Sequence, residues 1–411
     1  MKFQAFFFTS LFFLVYALVH SSLGIGSVQV VKTITVDKSG NGNFKSIQKA
    51  INSVPDGNSQ WIRIHVHQGN YTEQVKVPTQ KRFILLEGEG SDSTIIQWNA
   101  HTMPNDKERE TAALIVSADN FIARNIAFQN SYDYKSHPDV GVAAAIEGDK
   151  CSFYNCKFLG YQDTLCDYQG RHYFKQCWIE GGIDFIYGRA ASIYEGCTLN
   201  SILVDNGPGF FTAHGKVNLS APGGFVFKGC KITGSGNMYL GRPWNDHSTV
   251  LFYETYMSDI VVPLGWDSWR QHNMSQVTYA EESCTGPGSN KGQRVQWEKQ
   301  LSAEQWENFL GSEFINQDGW IEQQTMLKST SKRLNSFQDP KSQPTPKSLN
   351  SFQGPNVQPT SKNADSFPGP SPQPNMEAHY PTLWKKIQKY QDRILSMTKL
   401  LENLYPTGHA P

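Results

Sequence analysis

A short motif that recurs at a nearly constant interval constrains the fold more than any other feature of this sequence. Four segments each contain aromatic or branched residues, then a polar residue or glycine, then a cysteine and a short strand-like end: residues 153–158, 173–179, 194–199 and 225–232. Cys156, Cys177 and Cys197 lie 21 and 20 residues apart. A period of this size, built from strand-type residues, predicts stacked coils and therefore an all-β fold, a parallel β-helix (β-solenoid).

Short β-type segments elsewhere in the chain agree with this prediction. We predict strands at residues 30–36, 61–66, 83–87, 94–98, 113–116, 121–128 and 143–146. Long helices do not alternate with them, which disfavours a doubly wound α/β fold. Apolar residues at helical spacing in residues 44–54 predict one short helix, which we expect to cap the N-terminal end of the solenoid.

The beginning of the chain predicts export. Residues 1–22 carry Lys2, an apolar run and small polar residues, the pattern of a signal peptide. This run is shorter than a membrane span, and no later stretch is apolar enough to be one. Asn-X-Ser/Thr sequons at Asn70, Asn218 and Asn273 agree with a secreted protein and are candidate glycosylation sites.

The end of the chain differs in composition from the body. Residues 325–380 are rich in Ser, Pro and Gln, which predicts a disordered linker. Residues 381–405 instead carry apolar residues at heptad spacing, which predicts a terminal amphipathic helix. This helix is a candidate for self-association, and the alternatives are docking on the body of the protein or on another partner.

Cysteine usage leaves two interpretations open. The chain has seven cysteines, which either form some disulfides in an oxidising compartment or line a column of small buried side chains. No CxxC motif or closely spaced Cys/His set occurs, so we expect neither a metal site nor a cofactor. With a formal net charge of +0, the composition gives no indication of a nucleic-acid partner.

Two aspartates have the spacing of the repeat. Asp163 and Asp184 each lie in an apolar segment and are 21 residues apart, so in stacked coils they occupy neighbouring strands, about 4.8 Å apart. Two carboxyl groups this close do not both ionise readily, so we expect one to be protonated and the other charged. Such a pair supplies an acid together with a base or nucleophile. The alternative is that both are turn residues that bind backbone amides.

Four blocks in the body resemble the signature blocks of the plant pectin methylesterase (pectinesterase) family. They are GNYTE at 69–73, GYQDTL at 160–165, DFIYG at 184–188 and LGRPW at 240–244, in the family's order. The resemblance covers about residues 31–320, where FINQDGW at 314–320 resembles the family's last strand. The chain resembles the form of the family that lacks an N-terminal inhibitor-like pro-region.

The resemblance implies a fold, a reaction and a location. It implies a right-handed parallel β-helix as the catalytic domain, over residues 28–324. The implied reaction is hydrolysis of the methyl esters of homogalacturonan (pectin) in the cell wall, which releases methanol and requires no cofactor. A proteinaceous pectinesterase inhibitor is an implied candidate partner, besides pectin itself.

The resemblance also implies catalytic roles. Asp184 is the implied nucleophile, and Asp163 the general acid that protonates the leaving methoxide and then acts as the base for water. Arg242 pairs with Asp184, and Gln162 donates a hydrogen bond to the oxyanion. Since neighbouring residues of a strand point to opposite faces, Gln162 and Asp163 reach one cleft only if the chain bends there, and we expect GYQ to provide the bend.

Substrate contacts are expected from the aromatic residues near LGRPW. Trp244 offers a flat wall to a sugar ring beside Arg242, which is itself a substrate-binding candidate. Trp266 and Trp269 are further candidate sugar platforms. The competing interpretation for each tryptophan is burial in the core, which is usual for this residue.

One position departs from the family and keeps an alternative function open. The family carries a second oxyanion-donating glutamine before the general acid, where this chain has Val140. Valine cannot donate a hydrogen bond, so the alternative is a non-catalytic or weakly active pectin-binding protein. A pectate lyase or polygalacturonase is a third interpretation, but neither a calcium-binding carboxylate cluster nor a widely spaced acid pair is evident, and the four blocks favour the esterase.

Overall fold

The computed structural model describes residues 29–327, except for 104–106, 136–138, 204–206, 217, 219 and 270–273. Over this range the chain forms a parallel β-helix, because strands of successive coils pair in parallel with one another. The predicted fold is confirmed. The predicted signal peptide, most of the predicted linker, the terminal helix and Asn273 lie outside the described residues.

Three sheets form the walls of the β-helix. The described strands are, in chain order, β1 (Val30–Val36), β2 (Trp61–Val66), β3 (Gly69–Thr72), β4 (Val75–Val77), β5 (Ile84–Gly88), β6 (Thr94–Trp98), β7 (Leu114–Val116), β8 (Phe121–Arg124), β9 (Ala127–Asn130), β10 (Ala144–Ile146), β11 (Cys151–Tyr154), β12 (Lys157–Leu159), β13 (Leu165–Asp167), β14 (Arg171–Lys175), β15 (Trp178–Gly181), β16 (Ile186–Gly188), β17 (Ala191–Glu195), β18 (Thr198–Ile202), β19 (Pro208–His214), β20 (Gly224–Lys228), β21 (Lys231–Ser235), β22 (Asn237–Pro243), β23 (Thr249–Tyr253), β24 (Tyr256–Met257) and β25 (Thr278–Glu282). Sheet 1 has the order β1-β2-β5-β8-β11-β14-β17-β20-β23-β25, sheet 2 has β22-β19-β16-β13-β10-β7-β4, and sheet 3 has β24-β21-β18-β15-β12-β9-β6-β3.

The repeated cysteine motif marks the turn from sheet 1 to sheet 3. The residue before each of these cysteines has a left-handed backbone: Asn155 (φ 52°), Gln176 (φ 54°), Gly196 (φ 61°) and Gly229 (φ 59°). A left-handed backbone favours glycine and short polar residues, which explains the conserved polarity of this step from coil to coil. All described cysteines are unpaired, and all are buried except Cys284, which is half-buried. The structure therefore supports a column of small buried side chains and not disulfide bonds.

Stacked rings fill the interior behind sheet 1. Phe153, Phe174, Tyr194, Phe227 and Phe252 follow one another on successive coils, with ring centroids 4.5 to 5.0 Å apart. Each ring is fully buried. Aromatic burial at every coil therefore supplies much of the apolar area that holds the stack together.

A short helix closes the N-terminal end of the β-helix, as predicted. Helix α1 (Ile47–Asn52) buries Ile47, Ala50 and Ile51 in the core of the first coils. It begins later than expected because Phe44 forms a β-bridge with Val36. The Glu73 carboxylate accepts hydrogen bonds from the backbone N–H groups of Ile47 (2.8 Å) and Gln48 (3.0 Å), so this acid of the GNYTE block stabilises the start of the helix.

Three helices near the end of the described chain cover the outer face of sheet 1. They are α2 (Ala303–Leu310), α3 (Ser312–Ile315) and α4 (Trp320–Thr325), and they bury Trp306, Ile315 and Trp320 against that sheet. The prediction of a strand at 314–320 is therefore wrong. Ile315 ends α3, Trp320 begins α4 and a turn joins them, because the apolar side chains of this segment pack on the surface of sheet 1 instead of extending the sheet.

The predicted boundary at residue 325 falls too early. Thr325 lies inside α4, and Leu327 is 1% exposed and packs against Leu85 and Ile122. The Leu327 carbonyl accepts a hydrogen bond of 2.5 Å from Nη1 of Arg124. The body of the protein thus extends to Leu327 at least. In the part of the chain that the structure describes, no helix is both long and apolar enough to cross a membrane.

Three short 3₁₀ helices complete the described elements, at Glu108–Thr111, Pro287–Ser289 and Lys291–Gln293.

Candidate active site

The register of sheet 2 brings the two aspartates of the sequence analysis together. Strands β13 and β16 pair with an offset of 21 residues, and the pairing extends upstream as a bridge between Gln162 and Ile183. The same offset places Asp163 opposite Asp184, and the backbone N–H of Asp163 donates to the Ile183 carbonyl at 3.0 Å. The predicted position of the pair on neighbouring coils is confirmed.

Both aspartates have an unusual backbone conformation. The φ angle is 60° at Asp163 and 46° at Asp184, in the left-handed region that aspartate tolerates better than most residues. This conformation interrupts the alternation of side chains that a regular strand would impose on Gln162 and Asp163. The expected bend therefore exists, at Asp163 itself. Among the described residues the side-chain amide of Gln162 has no hydrogen-bond partner, so its N–H groups are available to a ligand.

Arg242 binds Asp184 through both of its carboxylate oxygens. Nε of Arg242 donates to Oδ1 of Asp184 at 2.9 Å, and Nη2 donates to Oδ2. The guanidinium group lies 4.0 Å from the ring centroids of both Phe210 and Trp269. Asp184 itself is 5% exposed. A bidentate, charge-assisted pair between aromatic rings fixes the orientation of this carboxylate.

The surroundings of the two carboxyl groups give them different pKa values. Burial raises the pKa of both, and most strongly that of Asp163, where the neighbouring charge of Asp184 acts in the same direction. At Asp184 burial is also the largest cause of a raised pKa, but the hydrogen bonds and charge of Arg242 oppose it. The proton therefore stays on Asp163, and Asp184 ionises first.

Trp244 is an exposed aromatic surface beside this pair. It follows β22 directly, is 36% exposed, and its ring centroid lies 6.3 Å from that of Tyr187. An indole ring open to solvent suits the apolar face of a sugar.

The prediction of Trp266 as a substrate-binding residue is wrong. This side chain is 1% exposed, packs between Phe252 and Tyr279, and donates from Nε1 to Glu281 at 3.2 Å. It is therefore part of the core, the competing interpretation of the sequence analysis. Trp269 is half-buried and lies against Arg242 instead.

Val140 lies next to the segment that carries Gln162 and Asp163. The backbone N–H of the following residue, Gly141, donates to the Gln162 carbonyl at 3.3 Å. The Val140 side chain is half-buried against the apolar cluster on the outer face of sheet 2, which includes Ala145 and Tyr187. An apolar side chain occupies the position, so it supplies no oxyanion donor.

Two described sequons lie on the surface. Asn70 and Asn218 are both exposed. Oδ1 of Asn218 accepts a hydrogen bond of 2.9 Å from the backbone N–H of Ala221. Glycosylation at either position stays a prediction.

One cluster of metal-type side chains occurs in the described part of the chain, and it lies away from the aspartates. Ligand atoms of His65, His67 and Glu89 are within 4.8 Å of one another. Nη2 of Arg63 lies 3.2 Å from Nδ1 of His65, so the ring proton sits on Nε2, which faces Glu89 at 3.2 Å. A metal would need that nitrogen unprotonated, so we interpret the cluster as a hydrogen-bonded surface network.

Sequence reasoning missed two residues beside Trp244. Arg189 and Tyr168 follow β16 and β13, and the guanidinium carbon of Arg189 lies 5.0 Å from the Trp244 ring and 5.9 Å from the Tyr168 ring. The position of Arg189, directly after the DFIYG block, was the available signal.

The fold and this geometry define a class of protein: a parallel β-helix that carries an asymmetric carboxyl pair, one member bound by arginine, on an open face with an exposed tryptophan. Comparison with known proteins gives the family. Residues 33–318 match the model of the Pectinesterase family, so the chain belongs to that family and is a carboxylic ester hydrolase.

Individual proteins that are similar to this chain support its membership of the family. Probable pectinesterase 55 of Arabidopsis thaliana is 42% identical over 300 residues, which cover 70% of this chain and 90% of the relative. Probable pectinesterase 29 of the same plant is 41% identical and is covered to 88%. Among solved structures, pectin methylesterase from carrot superposes with a TM-score of 0.68 at 28% identity, over 72% of this chain and 97% of the carrot protein. The Aspergillus niger enzyme gives 0.62 at 26% identity, over 71% and 95%.

Proposed function

We propose that this pectinesterase hydrolyses the methyl esters of homogalacturonan with Asp184 as nucleophile and Asp163 as general acid and base. One observation carries the proposal: Asp184 is bound through both oxygens by Arg242, while Asp163, directly opposite, has the more strongly raised pKa. An ester hydrolase without a metal needs a nucleophile and a proton donor, and this pair supplies both from one residue type.

The first half-reaction forms an acyl-enzyme. An Oδ atom of ionised Asp184 attacks the ester carbonyl carbon, and its electron pair moves onto the carbonyl oxygen. The free amide of Gln162 donates a hydrogen bond to this oxyanion. The oxyanion then collapses, the bond to the methoxy oxygen breaks, and Asp163 gives its proton to that oxygen. Methanol leaves, and the galacturonate carbonyl stays on Asp184 as a mixed anhydride.

The second half-reaction restores the enzyme. Asp163, now ionised, takes a proton from water while the water oxygen attacks the anhydride carbonyl. The bond to Asp184 breaks, which leaves Asp184 ionised and releases a galacturonic acid carboxyl group, whose proton then passes to the solvent. Asp163 is again protonated, so both carboxyl groups return to their starting states. Arg242 stabilises the charged form of Asp184 at the beginning and end of the cycle.

Val140 favours a second candidate function, a weakly active or non-catalytic pectin-binding protein. Its side chain packs in an apolar cluster, where the resemblance implied a second oxyanion donor. Loss of one such donor costs on the order of 10²–10³ in rate. The two candidates differ in rate and share the same site.

Methanol release from highly methylated pectin tests the proposal. We expect release by the wild-type protein and a loss of more than about 10³-fold in Asp184→Asn, because an amide is a poor nucleophile. Trp266→Phe is the control, since Trp266 is a core residue. Equal rates for wild type and Asp184→Asn would refute the mechanism.

A second variant separates the two candidate functions. If the missing donor limits the rate, Val140→Gln raises kcat for methanol release by about tenfold or more. An unchanged kcat would show that Gln162 alone is sufficient and would remove the weakly active alternative.

We further propose that the protein is secreted and acts in the cell wall on pectin, in keeping with the plant pectinesterases that it resembles. Binding of a proteinaceous pectinesterase inhibitor and self-association through residues 381–405 remain proposals. Secretion is tested by the presence of the protein in the medium of expressing plant cells, and by its retention inside when residues 1–22 are removed.

A further inference from the structure

Arg189 differs from the other arginines around this cleft in having no acidic partner. Four arginines of the described residues lie near the half-buried Tyr168 and the exposed Trp244 or contact the aspartate pair. Three of them form ion pairs: Arg109 with Glu147 (3.0 Å), Arg171 with Asp149 (2.6 Å) and Arg242 with Asp184. Within the part of the chain that the structure describes, Arg189 forms no ion pair. Of these four arginines, only Arg189 has no acidic partner among the described residues.

The surroundings of Arg189 are those of a binding site. Its guanidinium lies 5.0 Å from the Trp244 ring and 5.9 Å from the Tyr168 ring. Its Nε is inaccessible to solvent and has no hydrogen-bond partner. Arg189 also lines a cavity of about 370 Å³ together with Tyr168, Gly170 and Pro222. A half-buried cation with an unused donor is costly unless an anion enters the cavity.

The position of Arg189 relates this cavity to the catalytic pair. Arg189 follows Asp184 by five residues in the same coil, which places it at most about 16 Å further along the strand direction. Tyr187 lies between the two positions in the sequence, and its buried ring is 6.3 Å from the exposed ring of Trp244, which lies 5.0 Å from the Arg189 guanidinium. A polymer of sugar rings that passes from the catalytic aspartates over the Trp244 ring would therefore reach Arg189 a few sugar residues away.

The chemistry of the polymer identifies the anion. A methyl-esterified galacturonate is neutral and cannot compensate a guanidinium, whereas a de-esterified one carries a planar carboxylate that arginine binds in bidentate fashion. We propose that Arg189 binds the carboxylate of an already de-esterified galacturonate residue of the same chain, so that the enzyme prefers esters near free acids. This proposal rests on the proposed function and adds a specificity-determining residue to it.

Methanol release from two pectins of equal chain length tests the proposal. One substrate is almost fully methylated and the other is about half de-esterified. At low salt we expect the wild-type protein to show a KM per ester about tenfold lower on the second substrate, the scale of a charge-assisted hydrogen bond. Arg189→Gln raises that KM to the value for the methylated substrate and leaves kcat unchanged. Arg189→Lys keeps the positive charge but cannot bind a carboxylate in bidentate fashion, so it retains part of the preference for the de-esterified substrate.

Arg82→Gln is the control, because it also removes one arginine charge, but Arg82 is exposed, lies beside Phe83 and does not line this cavity. It should keep the KM ratio of the wild type. The same KM ratio in wild type and Arg189→Gln would overturn the proposal. So would inhibition by acetate as strong as that by a de-esterified oligogalacturonate at equal carboxylate concentration, since that result would indicate a small-anion site.

A binding measurement keeps this proposal distinguishable from the proposed function. De-esterified oligogalacturonate is titrated calorimetrically into Asp184→Asn and into Asp184→Asn with Arg189→Gln. We expect about tenfold weaker binding in the double variant. If wild type releases no methanol, the proposed function fails, and this titration still decides whether Arg189 binds the carboxylate. Equal affinities would refute the role of Arg189 even in an active esterase.

Discussion

Asp163 and Asp184 are identical side chains whose different neighbours give them different chemical roles. Arg242 binds Asp184 through two hydrogen bonds, and Asp163 faces that carboxylate from a half-buried position. An esterase of this design depends on both protonation states at once. Its pH profile therefore reports the two macroscopic pKa values of the pair.

The acidic side of that profile depends on Arg242. Catalysis needs ionised Asp184, so kcat/KM falls as pH falls through the pKa of this residue, which burial raises and Arg242 lowers. In Arg242→Lys the bidentate hydrogen bonding to Asp184 is lost, so the pKa of Asp184 rises further. The acidic limb of the pH profile therefore moves to higher pH. Profiles of kcat/KM for methanol release measure the shift. A limb at the same pH in both proteins would show that Arg242 does not control the protonation of Asp184.

Asp163 should make the protein less stable at neutral pH. Its folded-state pKa is raised by burial and by the charge of Asp184, so the folded state binds a proton that the unfolded state releases, and stability falls as pH rises above the ordinary aspartate pKa. Asp163→Asn removes this cost, and asparagine tolerates the left-handed backbone. We expect a higher unfolding temperature than wild type at pH 7 and a difference that vanishes near pH 3. A lower temperature at pH 7 would contradict the assignment.

Among individual residues, the sequence predicted those site members whose place follows from the repeat or from a signature block. The 21-residue spacing placed the aspartates opposite each other, and LGRPW supplied their arginine. The sequence could not tell Trp266 from Trp244, because each follows a short segment that contains glycine and proline, and only the packing of Phe252 and Tyr279 buries Trp266. Arg189 was missed because what distinguishes it is that no acidic side chain among the described residues lies close enough to pair with it. The order of residues in the sequence does not show this.

The turn between sheets 1 and 3 is the element that repeats most faithfully. Each copy needs one residue with a left-handed backbone before a buried cysteine, and Gly196 fills that position with φ 61°. A Cβ added at Gly196 would meet only Cγ of Gln176, at 3.8 Å, so space is not the constraint. Conformation alone should decide the effect of a substitution there.

Gly196→Ala should therefore cost about 1 kcal/mol of unfolding free energy, the difference between alanine and glycine in this backbone region. Gly196→Asn should cost less, because asparagine occupies the same conformation at Asn155. Urea unfolding of the three proteins measures both values. Equal stability for alanine and glycine would mean that the turn relaxes into another conformation in the variant.

Strands were easier to predict than helices because the repeat fixes their spacing. Predicted strands at 30–36, 61–66 and 94–98 agree with β1, β2 and β6. The single predicted strand at 121–128 is two strands, β8 and β9, since Asn125 turns the chain with φ 56°. Helices α3 and α4 have four and six residues, too few for a periodic pattern, and packing on sheet 1 determines them.

The outer faces of the β-helix differ in what covers them. Helices α2 to α4 cover the outer face of sheet 1, and α1 closes the first coils. The outer side of sheet 2 carries the aspartate pair and the exposed ring of Trp244. A β-helix gains its stability from contacts between neighbouring coils, so one face can remain open to a long polymer while the stack stays intact.

The contacts of α4 indicate where the catalytic body ends, and this leads to the last prediction. Arg124 donates to the carbonyls of Gln324 and Leu327, and Ser152 donates to the Gln324 side chain at 2.5 Å, so the described contacts of this segment with sheet 1 extend to Leu327. A chain that ends at Ser336 keeps the whole first compact unit. We expect it to match the full chain in unfolding temperature and in methanol release.

Sedimentation of the same two proteins tests the role proposed for residues 381–405. Three heptads form a marginal helix unless a partner covers their apolar side. If that partner is a second copy, the full chain sediments as an oligomer and the chain ending at Ser336 as a monomer, with equal rates of methanol release per chain. Two monomers would exclude self-association, whereas a lower rate in the shortened chain would show that the segment contributes to the reaction on sheet 2.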